Sequence, residues 1–114
     1  MIFSRRKRYN GDVSTLLPAF GIDMEDAGVF KVLNVLDIAW AQKYSVYEAA
    51  LLAAYSFASG LCQQGLVERA DTLVKDKLLP IQKDWIKKGI VRAELVSRMT
   101  EKLAQRAAAA RGQV

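Results

Sequence analysis

The residue types that most often perform acid–base or nucleophilic chemistry are almost absent from this chain. It has no histidine and a single cysteine, Cys62. The commonest general base and transition-metal ligand is therefore missing, and no Ser-His or Cys-His pair can form. Cys62 lies in an apolar segment, where a thiol usually serves as an unreactive packing residue. The sequence favours a protein without catalytic residues, metal or cofactor.

Two groups of carboxylates could still take part in chemistry. Asp37 lies on an otherwise apolar segment, where a buried carboxylate can act as an acid or base. Its place on a polar stripe that includes Lys31 favours solvent exposure instead. Asp23, Glu25 and Asp26 could bind a hard cation through oxygen ligands, but their spacing is not that of a calcium loop. Capping of a helix N-terminus explains them more simply.

Lysine and arginine form three clusters that could contact phosphates. The net charge is +5, and it is unevenly placed: residues 12–48 have a surplus of acidic residues, whereas residues 1–11 and 68–114 are basic. The clusters are Arg5, Arg6, Lys7 and Arg8; then Lys83, Lys87, Lys88 and Arg92; then Arg98, Lys102 and Arg106. The last three are spaced by four residues and so share one helix face.

These clusters suggest a small non-enzymatic accessory subunit that binds the nucleic-acid backbone, without sequence specificity, within a larger assembly. Residues 5–8 would form an unstructured arm whose neighbours Phe3 and Tyr9 stack on exposed bases. Part of the charge has an ordinary explanation, because Asp84 and Lys88, like Glu94 and Arg98, have the spacing of helical ion pairs.

A helical protein–protein adaptor or regulator is the alternative. It would bind an acidic partner through the same basic surface, or an apolar partner through Tyr44, Tyr47 and the segment that precedes them. Leftover apolar surface on such a domain could also pair with a second copy of the chain. Trp40, by contrast, is expected to close the core.

Helix signals recur along the chain, and they predict an all-α fold. Residues 49–67 contain no charged residue, which indicates a buried central helix wrapped by the others. Ser45 and Glu48 form a capping box that starts this helix, and Gly65 suits its end. The fold expected is a compact bundle of four to five helices. The helices predicted besides 46–64 are 24–43, capped by Asp23; 67–88, kinked or broken at Pro80 and ended at Gly89; 91–109; and a short turn over 13–17 after Asp12.

The predicted organisation is a basic N-terminal arm, residues 1–11, followed by a single helical domain, residues 12–114. The central apolar segment is too short and too rich in alanine to predict a membrane span. Polar residues follow the basic run at the N-terminus, which argues against a secretion signal. A cytoplasmic location is expected.

Overall fold

The chain is all-α, with the helices arranged around one central helix whose only charged residue, Glu48, lies in its first turn. The computed structural model describes residues 2–23 and 29–112, and within these ranges it contains no strand. Side chains are described except for those of residues 2–4, 6, 29–32, 103–104, 106–107 and 110–112. The helices are α1 (Ile2–Leu16), a 3₁₀ turn (Leu17–Phe20), α2 (Val29–Ala41), α3 (Val46–Gln63), α4 (Val67–Leu73), a π-helical turn (Val74–Leu78), α5 (Leu79–Lys87) and α6 (Ala93–Gly112).

The central helix α3 begins and ends as its sequence predicts. The amide of Glu48 donates to the Ser45 hydroxyl at 3.1 Å, and the amide of Ser45 donates to Glu48 Oε1 at 3.1 Å. This is the capping box. At the other end Gly65 has a φ of +81°, and the amide of Leu66 donates to the carbonyl of Leu61 at 2.9 Å. That left-handed ending turns the chain back toward α4.

Small side chains allow α3 to be surrounded. Alanines at 49, 50, 53, 54 and 58 are completely buried, and α3 contacts α1, α2, α4 and α6. Because alanine adds little bulk, several helices can approach the α3 backbone at once. The buried central helix is confirmed, and from Ala49 onward it contains no charged residue. None of the helices in the described ranges is long and apolar enough to span a lipid bilayer.

The basic segment before residue 12 is helical, so the predicted unstructured arm and the predicted short turn after Asp12 are both wrong. Residues 2–16 form the single helix α1. Tyr9, Val13 and Leu17 are buried, and the Tyr9 hydroxyl donates to the backbone carbonyl of Tyr44 at 2.9 Å. An apolar residue at every fourth position gives α1 a core-facing stripe, and packing of that stripe holds the helix in place.

Pro80 does not end the helical path, and it follows a π-helical turn. In that turn the Leu79 amide donates to the carbonyl of Val74, five residues before it. Pro80 then occupies the first turn of α5, where a proline ring fits and its missing amide hydrogen costs little. The segment 67–87 is therefore one continuous helical path that changes its winding before the proline.

The last helix is placed by a further left-handed turn. Gly89 has a φ of +73°, and the Ile90 amide donates to the carbonyl of Trp85 at 2.9 Å. Val91, Leu95 and Met99 are buried, as predicted for this helix. The predicted contributions of residues 103 and 107 lie outside the described side chains, and the predicted start at residues 24–28 lies outside the described residues.

Alanine substitutions at Gly11 and Gly89 should change the free energy of unfolding in opposite directions. Gly11 lies inside α1 with open space around the position of a Cβ atom, so Gly11→Ala should add about 0.5–1 kcal/mol. Gly89→Ala places a Cβ in the left-handed region and should remove about 1 kcal/mol. Urea unfolding of the two variants measures both values. An unchanged Gly11→Ala protein would argue against helix at residue 11.

Candidate interaction groove

Glu48 is a buried carboxylate that connects the starts of two helices. Its side chain is 5% exposed, and besides closing the α3 capping box it accepts three hydrogen bonds from Arg92. The Arg92 amide and Nε donate to Oε2 at 3.0 and 2.8 Å, and Nη2 donates to Oε1 at 3.0 Å. Arg92 immediately precedes α6. One carboxylate therefore fixes the N-terminus of α3 against the N-terminus of α6.

The surroundings of Glu48 strongly favour its ionised carboxylate. Burial alone raises its pKa, but hydrogen bonds from the Arg92 side chain and from the amides of Ser45 and Arg92, together with the Arg92 charge, outweigh burial and hold the pKa at about 2. The Arg92 guanidinium also lies over the Tyr44 ring, 5.8 Å from its centroid. Arg92, predicted to contact nucleic acid, thus uses its side chain within the fold, although that side chain is 63% exposed.

A groove of about 490 Å³ lies between α2 and α6, with α3 as its floor. We call it the α3 groove. Its floor is formed by Leu52, Tyr55, Ser56 and Ser59 of α3; its walls are formed by Val35, Ile38 and Gln42 on the α2 side and by Leu95, Arg98, Met99 and Lys102 of α6; and Tyr44 also lines it. The described lining combines aliphatic side chains, small hydroxyls and two cations, and it includes no carboxylate.

The two cations lie on one wall of the α3 groove. Arg98 and Lys102 are exposed residues one helical turn apart on α6. In the described part of the chain neither has an ion-pair partner, so the predicted Glu94–Arg98 pair does not form. On the floor, burial raises the pKa of Tyr55 to about 12, and its hydroxyl hydrogen-bonds Gln82 Oε1. The phenol therefore stays neutral, and the charge of the groove lining is positive.

The other predicted binding residues are dispersed over the surface. Arg5, Lys7 and Arg8 are exposed on α1, and Lys87 is exposed at the end of α5. Lys88 pairs with Asp84 at 3.0 Å, as the spacing predicts. The side chains of Arg6 and Arg106 lie outside the description.

Of the two tyrosines predicted to bind a partner, only Tyr44 lies at the α3 groove. Tyr47 is 40% exposed and packs edge-on against Trp85, with ring centroids 5.1 Å apart. Trp40 is half-buried against the core, 5.2 Å from the Tyr9 ring. The aromatic predicted to close the core does so, and the tyrosine pair is divided between two surfaces.

Asp37 and Cys62, which could have taken part in chemistry, both lie in helix packing. Asp37 is half-buried and accepts a hydrogen bond from Asn10 Nδ2 at 3.4 Å, which joins α1 to α2. Cys62 is buried within α3. Among the described residues no group of histidine, cysteine and carboxylate side chains could hold a metal ion; Glu25 and Asp26 lie outside that set.

The sequence did not reveal the Glu48–Arg92 contact or the α3 groove. The contact joins residues 44 positions apart, and the capping box already accounts for Glu48 locally. The groove combines residues from three helices, which no short pattern brings together. One signal was present for the α6 wall, since Lys102, like Arg106, has no acidic residue four positions before it that would neutralise its charge. In comparisons with known proteins, no protein-family model, curated protein or solved structure matches the chain.

Acid should destabilise the protein through Glu48. Above the unfolded-state pKa of about 4.5 the carboxylate is charged in both states; below it, only the unfolded state gains a proton, so stability falls until the folded-state pKa of about 2 is passed. Urea unfolding between about pH 5 and pH 3 should show Glu48 contributing a loss of up to about 2 kcal/mol.

The matched variants are Glu48→Gln and Asp84→Asn. Glu48→Gln should be less stable at neutral pH and should lack that part of the acid dependence. Asp84→Asn removes an exposed pair with Lys88 and should change stability by less than about 1 kcal/mol. Equal acid dependence in the wild-type protein and Glu48→Gln would show that Glu48 is not the responsible group.

Proposed function

We propose that the protein is a non-enzymatic helical interaction module whose α3 groove binds a segment of a partner protein that is both apolar and negatively charged. The observation that supports this function is the pairing of aliphatic walls with Arg98 and Lys102 in a groove whose described lining includes no carboxylate. Such a surface favours a partner that covers apolar area and supplies negative charge at the rim.

The form of the groove suits a chain segment. Its volume of about 490 Å³ is within the range of about 300–1,000 Å³ that is usual for binding sites. It lies between two helices, and Ile38 on the α2 wall is 45% exposed. A segment lying along the groove would remove this side chain from water. The described lining offers hydroxyls but no carboxylate or histidine to activate them, which favours binding over catalysis.

Photocrosslinking from α2 tests this function with a built-in control. Ile38 lines the groove and Leu33 does not, yet the two residues are on the same helix and are 45% and 41% exposed. A photoreactive phenylalanine analogue introduced at Ile38, in the protein expressed in its native cells, should give a discrete protein adduct. The same analogue at Leu33 should give little of it. Mass spectrometry of the adduct identifies the partner and the segment attached.

Three results would contradict this function. Equal adducts from positions 33 and 38 would mean that the groove has no preferred occupant. Adducts made of nucleic acid, or a partner that remains attached when Ser56→Phe fills the floor of the groove, would place binding elsewhere. Ser56→Ala is the matched variant that leaves the groove open.

A second candidate function is binding of nucleic-acid backbone, as an accessory subunit of a larger assembly. It is favoured by the exposed Arg5, Lys7 and Arg8 on α1. A helix presents these cations around more than one face, so they could contact phosphates but would read no sequence. Tyr9 is buried, so the prediction that its ring stacks on bases is wrong; Phe3 lies outside the described side chains.

Fluorescence anisotropy with labelled single-stranded and duplex oligonucleotides tests the second function. Binding should weaken steeply as salt rises, because phosphate contacts release counterions. An Arg5→Ala/Lys7→Ala/Arg8→Ala variant should lower the salt slope by up to about three, one for each lost contact. Absence of binding at low salt, or an affinity that salt does not change, would eliminate this function.

A further inference from the structure

We propose that the occupant of the α3 groove is a short, acidic amphipathic helix of the partner protein, with apolar side chains at positions i, i+4 and i+7 and carboxylates along the edge of that stripe. This inference rests on the proposed function and specifies the partner's chemistry. The length of the groove, the size of its floor residues and its charge support such an occupant.

The length of the groove corresponds to two helical turns. Its floor extends from Leu52 to Ser59 on α3, and its α6 wall extends from Leu95 to Lys102. Each span covers seven residue steps, or about 10 Å at 1.5 Å per residue. In a docked helix, the residues at i and i+7 are the same distance apart. Three apolar anchors on one stripe would therefore fill the groove from end to end.

The floor allows a helix backbone to come close. Ser56 and Ser59 are small side chains one turn apart, and Ser59 is only 5% exposed. Larger residues at these positions would keep a partner helix away from α3. On the α2 wall, Ile38 is 45% exposed and can pack against the apolar anchors, whereas Met99 on the α6 wall is only 6% exposed and belongs to the core.

Charge selects the acidic partner over a second copy of this chain. In a two-fold dimer formed through the groove, two linings that each contain Arg98 and Lys102 and no described carboxylate would face each other, so like charges would meet across the interface. A helix with Asp or Glu beside its apolar stripe would instead pair with both cations. Because the described lining offers no competing carboxylate, these two side chains can turn toward the partner without breaking an ion pair within the described part of the fold.

The experiment uses two synthetic peptides of about 14 residues, long enough for the two-turn contact. The acidic peptide carries Leu at i, i+4 and i+7 with Glu at the flanking positions, and the basic peptide replaces each Glu with Lys. Fluorescence anisotropy at about 0.15 M salt, a condition that still screens distant charges, measures binding to the full chain. The acidic peptide should bind at least about tenfold more tightly than the basic peptide, a difference of about 1.4 kcal/mol.

Charge reversal locates the contact. Arg98→Glu/Lys102→Glu should lower the affinity for the acidic peptide by at least about tenfold and raise the affinity for the basic peptide, because the charge of the α6 wall changes from positive to negative. Lys75→Glu/Lys77→Glu makes the same change in net charge at exposed residues away from the groove, and the preference for the acidic peptide should persist. Ser56→Phe should abolish binding of both peptides, whereas Ser56→Ala should not.

Each contrary result has a separate meaning. Equal binding of the two peptides, or failure of both to bind while the Ile38 crosslink still gives a protein adduct, would overturn the acidic-helix inference and leave the proposed function standing. Loss of the selective Ile38 crosslink would overturn the proposed function itself. If Lys75→Glu/Lys77→Glu reversed the peptide preference as strongly as Arg98→Glu/Lys102→Glu, the preference would depend on the net charge of the protein and not on the groove. That result would also overturn the acidic-helix inference.

Discussion

One buried carboxylate sets the relation between the two helices that matter most for the proposed activity. Glu48 closes the first turn of α3 and at the same time binds the backbone and guanidinium of Arg92 at the entry to α6. Burying a charge is costly, and the cost is offset here because every direction of the carboxylate meets a donor. Removal of Arg92 would leave the buried carboxylate poorly solvated, whereas the Arg92 side chain is 63% exposed and would stay in contact with water. The Glu48–Arg92 contact therefore helps to fix the N-terminus of α6 relative to α3. Because α6 forms one wall of the α3 groove, the same contact helps to position that wall.

The groove follows from the way in which α3 is surrounded. α2 and α6 both pack on α3, but their facing sides are occupied by Ile38, Gln42, Arg98 and Lys102 and do not close over the floor. Alanines on the remaining faces of α3 allow the other helices to pack closely, whereas Ser56 and Ser59 lie beneath open space. Close packing elsewhere keeps the walls apart and preserves the cleft. Stability of the bundle and availability of the groove thus depend on the same central helix.

Local chemistry in the sequence predicted local structure well. The capping box at Ser45 and Glu48 and the left-handed turns at Gly65 and Gly89 were identified because each depends on residues only a few positions apart. The burial of α3 was predicted from the absence of charged residues between positions 49 and 67. The helical state of residues 2–11 was not predicted, because the run of cations at residues 5–8 is typical of an unstructured basic arm. The usable helix signal was the apolar spacing of Tyr9, Val13 and Leu17. The site could be predicted only in part. Arg98, Lys102 and Tyr44 were identified individually as candidate binding residues. Their shared groove depends on how three helices pack, and no short sequence pattern predicts that packing.

The separation of Glu48 from Arg92 also has a consequence during synthesis. The two residues are 44 positions apart, and ribosomes add about 5–20 residues per second. For about 2–9 s, then, the nascent chain contains Glu48 but not yet Arg92. During this interval Glu48 can close the α3 capping box with Ser45, but its carboxylate has no guanidinium and must remain hydrated. Translation order therefore makes arrival of α6 the step that completes the bundle and, with it, the binding surface.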